Sequence, residues 1–469
     1  MKEVDSQNSP LYTNARVIVI CLDAMLIMLG FGIIAPSMAF YLIALEGGLT
    51  QPPGPGYVVP GEVVAEFSVI LGVMMAAFMG TRTLLARYWG GVSDTRGRRP
   101  VLITGLFGYV LLLILFGLAQ DWVQLVLIRC LQGVVSAMVW PVAEAALMDI
   151  VGHRRRGEGM GLYMLISNVG FVVGPGLGGL LYNFCRDVLL LGVPDVFRVP
   201  YYIGALITLP AALMTIVVVK ETSPGRSQTQ AGAPSEASAD AVRLSESSSV
   251  IDKAPAPDVR RMMRALYLMS AANGLAMGLG QPLLQLFLMS RISSDIGLIG
   301  LIVSGAGVTG LLFSIPAGRW SDRRGRKNLA VFGGLGARSS LAVLPLTTDL
   351  AQTSCVWVVQ SAMMSVSEPA LRAIQTDVVP WHLRGKLFGT LQAFFNAGAT
   401  VGPLLGGALY SVFSLVVFAI GPFTLYGFVV PFWIAAILGL IAVSVLWRFV
   451  QETAPLAVVH ETSEDTDSV

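Results

Sequence analysis

The chain has 469 residues, 54% of them hydrophobic and only 13% charged, against roughly 25% charge in an ordinary soluble domain. That composition excludes an ordinary soluble domain, and the 51 glycines suit helices that approach closely in lipid. The net charge of +2 gives no reason to expect a nucleic-acid partner.

Apolar runs of the roughly 20 residues needed to cross a bilayer fall six in each half of the chain. In order they are roughly 17–45, 62–85, 100–119, 122–150, 160–184 and 199–220, then 264–290, 296–317, 328–349, 353–378, 386–413 and 430–450. The first run is too long for a secretory signal and lacks a small-residue cleavage site. The expected organisation is an N-terminal segment (1–16), a six-helix bundle (17–220), a linker (221–263), a second six-helix bundle (264–450) and a tail (451–469). The linker is rich in Ser, Ala and Pro with scattered charge, a composition that builds no core. Arg16, the stretch Arg82–Arg99, Arg154 to Arg156, Arg319–Lys327, Arg384, Lys386 and Arg448 all fall on one side of the spans. The positive-inside rule makes that side cytoplasmic, together with both termini.

Span 1 carries Asp23, about seven residues in from Arg16 and so roughly 10 Å deep at 1.5 Å per residue. Low dielectric penalises the charge of a lone carboxylate, a property that a proton carrier uses; a salt bridge holding two spans together is the alternative. The loop after span 2 reads Gly90-x-x-x-Asp94-x-x-Gly97-Arg98-Arg99. Glycines allow a tight turn there, and Asp94 and Arg98 can form charge-assisted hydrogen bonds. A plain positive-inside anchor explains the arginines but not the Asp and Gly. Span 4 holds Arg129, Gln132 and Gly133, then Glu144 six residues before its cytoplasmic end near Ile150, and Asp149 at that end with Arg156 seven residues on. Arg129 lies roughly 10 Å from the external end. It is expected to face a cavity or a partner, with snorkelling to the surface as the alternative. Span 5 contains Asn168 and the series Gly170, Gly174, Pro175, Gly178, Gly179, in which small residues permit close helix contact and the proline bends the helix.

The second half repeats the first. Asp94 and Asp322 are 228 positions apart, and the same shift takes Gly97-Arg98 onto Gly325-Arg326, Asp149 onto Asp377 and Arg156 onto Arg384. It also takes the span 5 series onto Gly398, Gly402, Pro403, Gly406 and Gly407. Lys220-Glu221-Thr222 is echoed by Gln451-Glu452-Thr453. Glu144 falls on Arg372 of span 10, so an acid and a base occupy equivalent positions in opposite halves. They are able to pair when the cytoplasmic end closes, unless Glu368, one turn before Arg372, takes the arginine instead. Gln281, Gln285 and Asn273 in span 7, Gln360 in span 10, and Gln392 and Asn396 in span 11 are candidates to face a cavity, although an intramembrane amide also bonds neighbouring helices. Hydrophobic halves repeated in the same sense are how many secondary transporters are built, with the substrate site where the halves meet.

These motifs resemble the major facilitator superfamily over nearly the whole chain apart from linker and termini. Asp94-x-x-Gly-Arg98 and its copy match the family's cytoplasmic loop motif, Arg129 to Gly133 its span 4 motif, and the span 5 series the motif associated with antiporters. Asp23 followed by Gly30 to Pro36 is similar to span 1 of tetracycline/proton antiporters and vesicular monoamine transporters. The sequence departs at Ala39, where a second proline is usual, and span 3 has no acid, so tetracycline is not supported as substrate. The resemblance implies an all-α membrane protein of twelve helices, in two pseudo-symmetric six-helix bundles around a central cavity. Gly90, Asp94, Gly97, Arg98, Asp149, Arg156, Asp322, Gly325, Arg326, Asp377 and Arg384 would then form the cytoplasmic gate.

The expected function is a proton-coupled antiporter of the plasma membrane, exporting small, partly hydrophobic compounds by alternating access, with Asp23 and Glu144 as coupling residues. The alternative is a proton-coupled importer or facilitator of a metabolite such as a sugar or organic acid. No phosphate-binding Gly-x-x-x-x-Gly-Lys-Ser/Thr loop occurs. His153, His382 and His460 lie in connections or the tail, and Cys21, Cys130, Cys185 and Cys355 have no metal-ligand spacing. The expected partners are protons, a small molecule and the bilayer, with no cofactor or metal and a monomeric state.

Overall fold

The computed structural model describes residues 10–152, 155–222, 257–377, 384–420, 423–450 and 452. Long runs of apolar residues without water to satisfy their backbone have one solution in lipid, the helix. The first half contains α1 (Ala15–Leu45), α2 (Gly61–Arg96), α3 (Arg98–Leu118), α4 (Trp122–Val151), α5 (Arg156–Asp187) and α6 (Asp195–Val218). The second contains α7 (Pro257–Phe287), α8 (Ile296–Arg324), α9 (Arg326–Val343), α10 (Leu350–Asp377), α11 (Arg384–Phe413) and α12 (Val429–Phe449). Among the described residues nine helices are long and apolar enough to cross a membrane by length and composition. The other three, α7, α10 and α11, carry more polar side chains; α10 alone holds Gln352, Gln360, Glu368 and Arg372.

The helices outrun the apolar segments. α2 continues to Arg96 and α8 to Arg324, because a helix persists through polar sequence until a glycine stops it. Gly97 at φ +104° and Gly325 at φ +97° are those stops, a conformation that a side chain disfavours. α1 is interrupted by a 3-10 turn at Ala35–Ser37, where Pro36 lacks the N–H that would continue the ladder. A short antiparallel hairpin, β1 (Val417–Ile420) with β2 (Phe423–Tyr426), lies between α11 and α12 and pairs Val417 with Tyr426.

Packing is the same in both halves when six is added to each helix number. α1 packs on α5 and α6, and α7 on α11 and α12; α3 packs on α4 and α6, and α9 on α10 and α12; α2 meets α4 as α8 meets α10. The halves join chiefly through α2 with α11 and α5 with α8, themselves a symmetric pair of contacts. In the first half the interior is aromatic: Tyr41, Phe116, Phe197 and Tyr201 are stacked or tilted against one another, and the Tyr41 hydroxyl donates to the Phe116 carbonyl at 3.0 Å.

Cross-half hydrogen bonds between described residues all lie toward the end of the helices that is poor in arginine. Ser68 Oγ donates to Gly407 O at 3.0 Å, Gly176 N to Ser304 Oγ at 2.7 Å and Gln285 Nε2 to Ala35 O at 2.9 Å. The 46–60 connection adds Val59 N to Met289 O at 3.0 Å and Ser294 N to Tyr57 O at 3.1 Å. Toward the arginine-rich end Glu368, Arg372 and Gln392 are exposed. Among the described residues, hydrogen bonds join the halves at the arginine-poor end and none joins them at the other.

Candidate functional site

The arginine-rich end is built from two copies of one device. Arg98, the first residue of α3, has only 12% of its side chain exposed and forms an ion pair with Asp149 at the end of α4, Nη1 to Oδ2 at 2.5 Å. Asp94, one turn earlier in α2, is 3.8 Å from it and largely exposed. The Arg98 backbone N–H donates to Glu221 Oε1 at 2.8 Å. The first backbone N–H groups of a helix have no partner within it, and a carboxylate there also meets the positive end of the helix dipole. In the second half Arg326 bonds Asp377, and Glu452 accepts from the backbone N–H groups of Arg326 at 2.9 Å and Lys327 at 3.0 Å.

Glu221 and Glu452 therefore cap α3 and α9 from the chain segments that follow α6 and α12. Sequence reasoning noticed their repetition and gave them no role; an acid at equivalent places after two apolar runs was the available signal. Asp149 and Asp377 meet Arg98 and Arg326. Arg156 is exposed at the start of α5, and Gly90 stands clear of neighbours. The side chains of Asp322 and Arg384 lie outside the described residues.

The glycine series divides its work between two neighbours. Gly170, Gly174 and Gly178 lie against the backbone of α1 at Met25, Gly32 and Ile33, while Gly179 faces α8 at Ile296 and Gly297. In α11, Gly398, Gly402 and Gly406 lie against α7 at Ala271, Leu275 and Leu279, while Gly407 faces α2 at Ser68 and Val69. Pro175 meets Gly300 of α8, and Pro403 meets Gly72 of α2. Each series thus packs its helix within its own half and against the opposite half.

Asp23 is 2% exposed. Its Oδ2 accepts from the hydroxyl of Thr215 on α6, and its Oδ1 is buried with no partner among the described residues. The carboxyl is therefore sealed between α1 and α6 in this state. Glu144 on α4 is half-buried, within electrostatic range of Arg82 on α2 and of Arg372 across the interface. Arg372 bonds Glu368 at 3.0 Å, so in this state the i, i+4 partner holds it and Glu144 does not. Arg82 was counted among the loop arginines in the sequence; its place some turns inside α2 makes it the neighbour of Glu144. The Tyr109 hydroxyl accepts from Trp140 Nε1 at 3.0 Å, and Tyr163 packs edge-on against Trp140 between the two acids' helices.

The other candidates form local pairs. Arg129 donates to Gln132 Oε1 at 2.9 Å and lies 5.6 Å from the Phe116 ring centroid. Gln392 donates to Asn396 at 2.8 Å, and Asn273 accepts from Arg338 of α9 at 3.0 Å. Asn168 is exposed and Gln360 half-buried. The Gln281 side chain lies outside the described residues. Among the described residues no group of three or more His, Cys, Asp or Glu is arranged to hold a metal.

The family model described as Major Facilitator Superfamily matches residues 20–261 and 266–466. The quinolone resistance protein NorA of Staphylococcus aureus is 21% identical over 404 residues, covering 85% of this chain and 91% of that protein. The class B tetracycline resistance protein of Escherichia coli is 23% identical over 383 residues, covering 79% and 88%. The inward-open xylose transporter XylE from E. coli superposes with a TM-score of 0.62 at 15% identity, covering 95% of this chain and 98% of that one, a likeness of fold.

Proposed function

The chain belongs to the major facilitator superfamily, as a multi-pass plasma-membrane transporter of small molecules and not an enzyme; from that premise we propose a proton-coupled antiporter that exports small, partly hydrophobic compounds. The observation that carries this reading is Asp23. A carboxylate 2% exposed, with one oxygen on Thr215 and neither a partner for the other nor a cation among the described residues, is not a structural ion pair. Ionised, it is a bare charge in a dry site; protonated, its hydroxyl group is compatible with burial. Proton loading therefore alters the energy of the α1–α6 contact, and α1 in turn packs on the glycine face of α5.

The arginine-rich end is cytoplasmic by charge distribution, with both termini on that side. On this reading Ser68–Gly407 and Gly176–Ser304 hold the outer end closed while the cytoplasmic end is open. Rocking of the halves exchanges these contacts for cytoplasmic ones. During closure Arg372 leaves Glu368 and approaches Glu144, so protonation of Glu144 weakens the cytoplasmic closure. Glutamate caps and Arg98–Asp149 keep each loop rigid through the movement. The drug-resistance names of NorA and the tetracycline protein support export of a drug-like compound.

Asp23→Asn keeps the shape and removes the exchangeable proton. Reconstituted in vesicles, this variant is expected to retain substrate binding and energy-independent exchange while losing transport driven by a pH gradient. Uphill transport with unchanged proton stoichiometry in Asp23→Asn refutes the assignment.

A further inference from the structure

Arg338 has no part in the proposed coupling or gating, yet among the described residues it is a buried cation with no ion-pair partner. It lies on α9, roughly 18 Å along the helix from Arg326 at 1.5 Å per residue, well inside the apolar run. The residue is 7% exposed. Its Nη2 donates to Asn273 Oδ1 on α7 at 3.0 Å, and it makes no other hydrogen bond and no ion pair with a described residue. Gly439 of α12 clears the space for it, since a Cβ there would meet the Arg338 Cδ and Nε. Other intramembrane arginines are compensated differently: Arg372 by Glu368, Arg82 by its proximity to Glu144, and Arg129 by Gln132 and the face of Phe116.

A guanidinium carries five donors and stays charged. Its burial without a counter-charge is costly, and intramembrane arginines in general face a partner or a pathway. Asn273 uses one donor and holds the group in place from α7, whose neighbouring turns carry Gly274 and Gly278 against α11. A guanidinium's remaining donors suit a carboxylate or sulfonate, which they take by charge-assisted hydrogen bonds. The geometry points to an anion-recognition site at Arg338 and Asn273, so that the transported compounds include amphipathic organic acids, with the acidic group on Arg338 and the apolar body among the spans. This deepens the exporter reading and rests on it.

The test compares two probes that differ only in charge, 1-naphthylacetate and its neutral amide, by equilibrium binding to the purified full-length protein. Wild type is expected to bind the acid at least about tenfold more tightly than the amide, the scale of one charge-assisted hydrogen bond. Arg338→Gln removes the charge and is expected to bring the ratio near one. Asn273→Asp keeps the guanidinium, supplies it with an internal carboxylate and is expected to abolish the preference without loss of fold. An acid preference that survives in Asn273→Asp or in folded Arg338→Gln overturns the inference. Binding of the amide with no gain for the acid, or of neither probe, also overturns it and leaves the exporter reading, which Asp23→Asn tests, standing.

Discussion

Gly407 and Gly398 belong to one motif on one helix, and the structure predicts that adding a methyl to each has a different kind of effect. A Cβ at Gly407 would stand 3.1 Å from the carbonyl carbon of Ser68 and 3.2 Å from Val69 Cα, backbone atoms of the opposite half. A Cβ at Gly398 would meet the backbone of Ala271, Gly274 and Leu275 within its own half. Overpacking of this kind costs about 1–3 kcal/mol. Glycine to alanine also favours the helix by about 1 kcal/mol, a gain common to every folded state. For Gly398→Ala the two effects oppose each other in folding stability, leaving about 0–2 kcal/mol, and the balance between open and closed states is untouched. For Gly407→Ala the clash exists only while the halves are closed at the end poor in arginine. The whole of it weighs on the conformational equilibrium, shifting it about 5–150-fold. A single cysteine at Gln392, exposed toward the open end, reports that equilibrium through its rate of reaction with a maleimide in a background lacking the four native cysteines. Gly407→Ala is expected to slow labelling, by as much as the equilibrium shift where the open state is the minor one, and Gly398→Ala to leave the rate unchanged while altering the melting temperature. Slowed labelling in Gly398→Ala, or a lowered melting temperature with unaltered labelling in Gly407→Ala, refutes the reasoning.

Three further outcomes follow from the arginine-rich end. Glu221→Ala removes the cap on α3 and is expected to lower stability by about 1–2 kcal/mol, read as a lower melting temperature, with a similar loss in Glu452→Ala. Asp149→Asn leaves the mostly buried Arg98 without its nearest charge and is expected to cost about 2 kcal/mol, whereas Asp94→Asn, exposed and more distant, costs less than about 0.5 kcal/mol by the same melt. Glu368→Gln frees Arg372 for Glu144 and is expected to favour closure of this end, slowing labelling at Gln392→Cys, while Glu144→Gln removes the cross-half partner and speeds it.

The fold was legible because it is written twice in apolar runs of membrane length, and because the loop and glycine motifs keep register between the halves. Helix ends were less legible: hydropathy marks where lipid begins, so span 2 reads as 62–85 although α2 reaches Arg96. The hairpin at 417–426 lies in a segment read only as a connection, since strands of four residues have little periodicity. Asp23 stood out as a lone acid, but Thr215 is 192 positions away and one hydroxyl in a span carries no signal. Arg338 was legible by the rule that picked out Arg129, an arginine inside an apolar run, and was passed over because it matches no motif. Arg82 was obscured differently, for its proximity to the loop arginines hid its depth within α2.

Repetition itself separates scaffold from chemistry. Residues that serve helix packing recur where each half solves the same packing problem; the span 5 and span 11 glycines with Pro175 and Pro403, Arg98 and Arg326, and Glu221 and Glu452 all do. A residue needed for coupling gains nothing from a copy, since two identical charges facing one another across an interface repel. Glu144 accordingly has Arg372, not a second acid, at the equivalent position, and the same shift carries Arg338 onto Val110. The buried acid of the first half, Asp23, and the buried base of the second, Arg338, are each anchored by a neutral partner, Thr215 and Asn273. Neither has an ion-pair partner among the described residues. On the readings proposed above, a proton compensates the acid and an anionic solute the base.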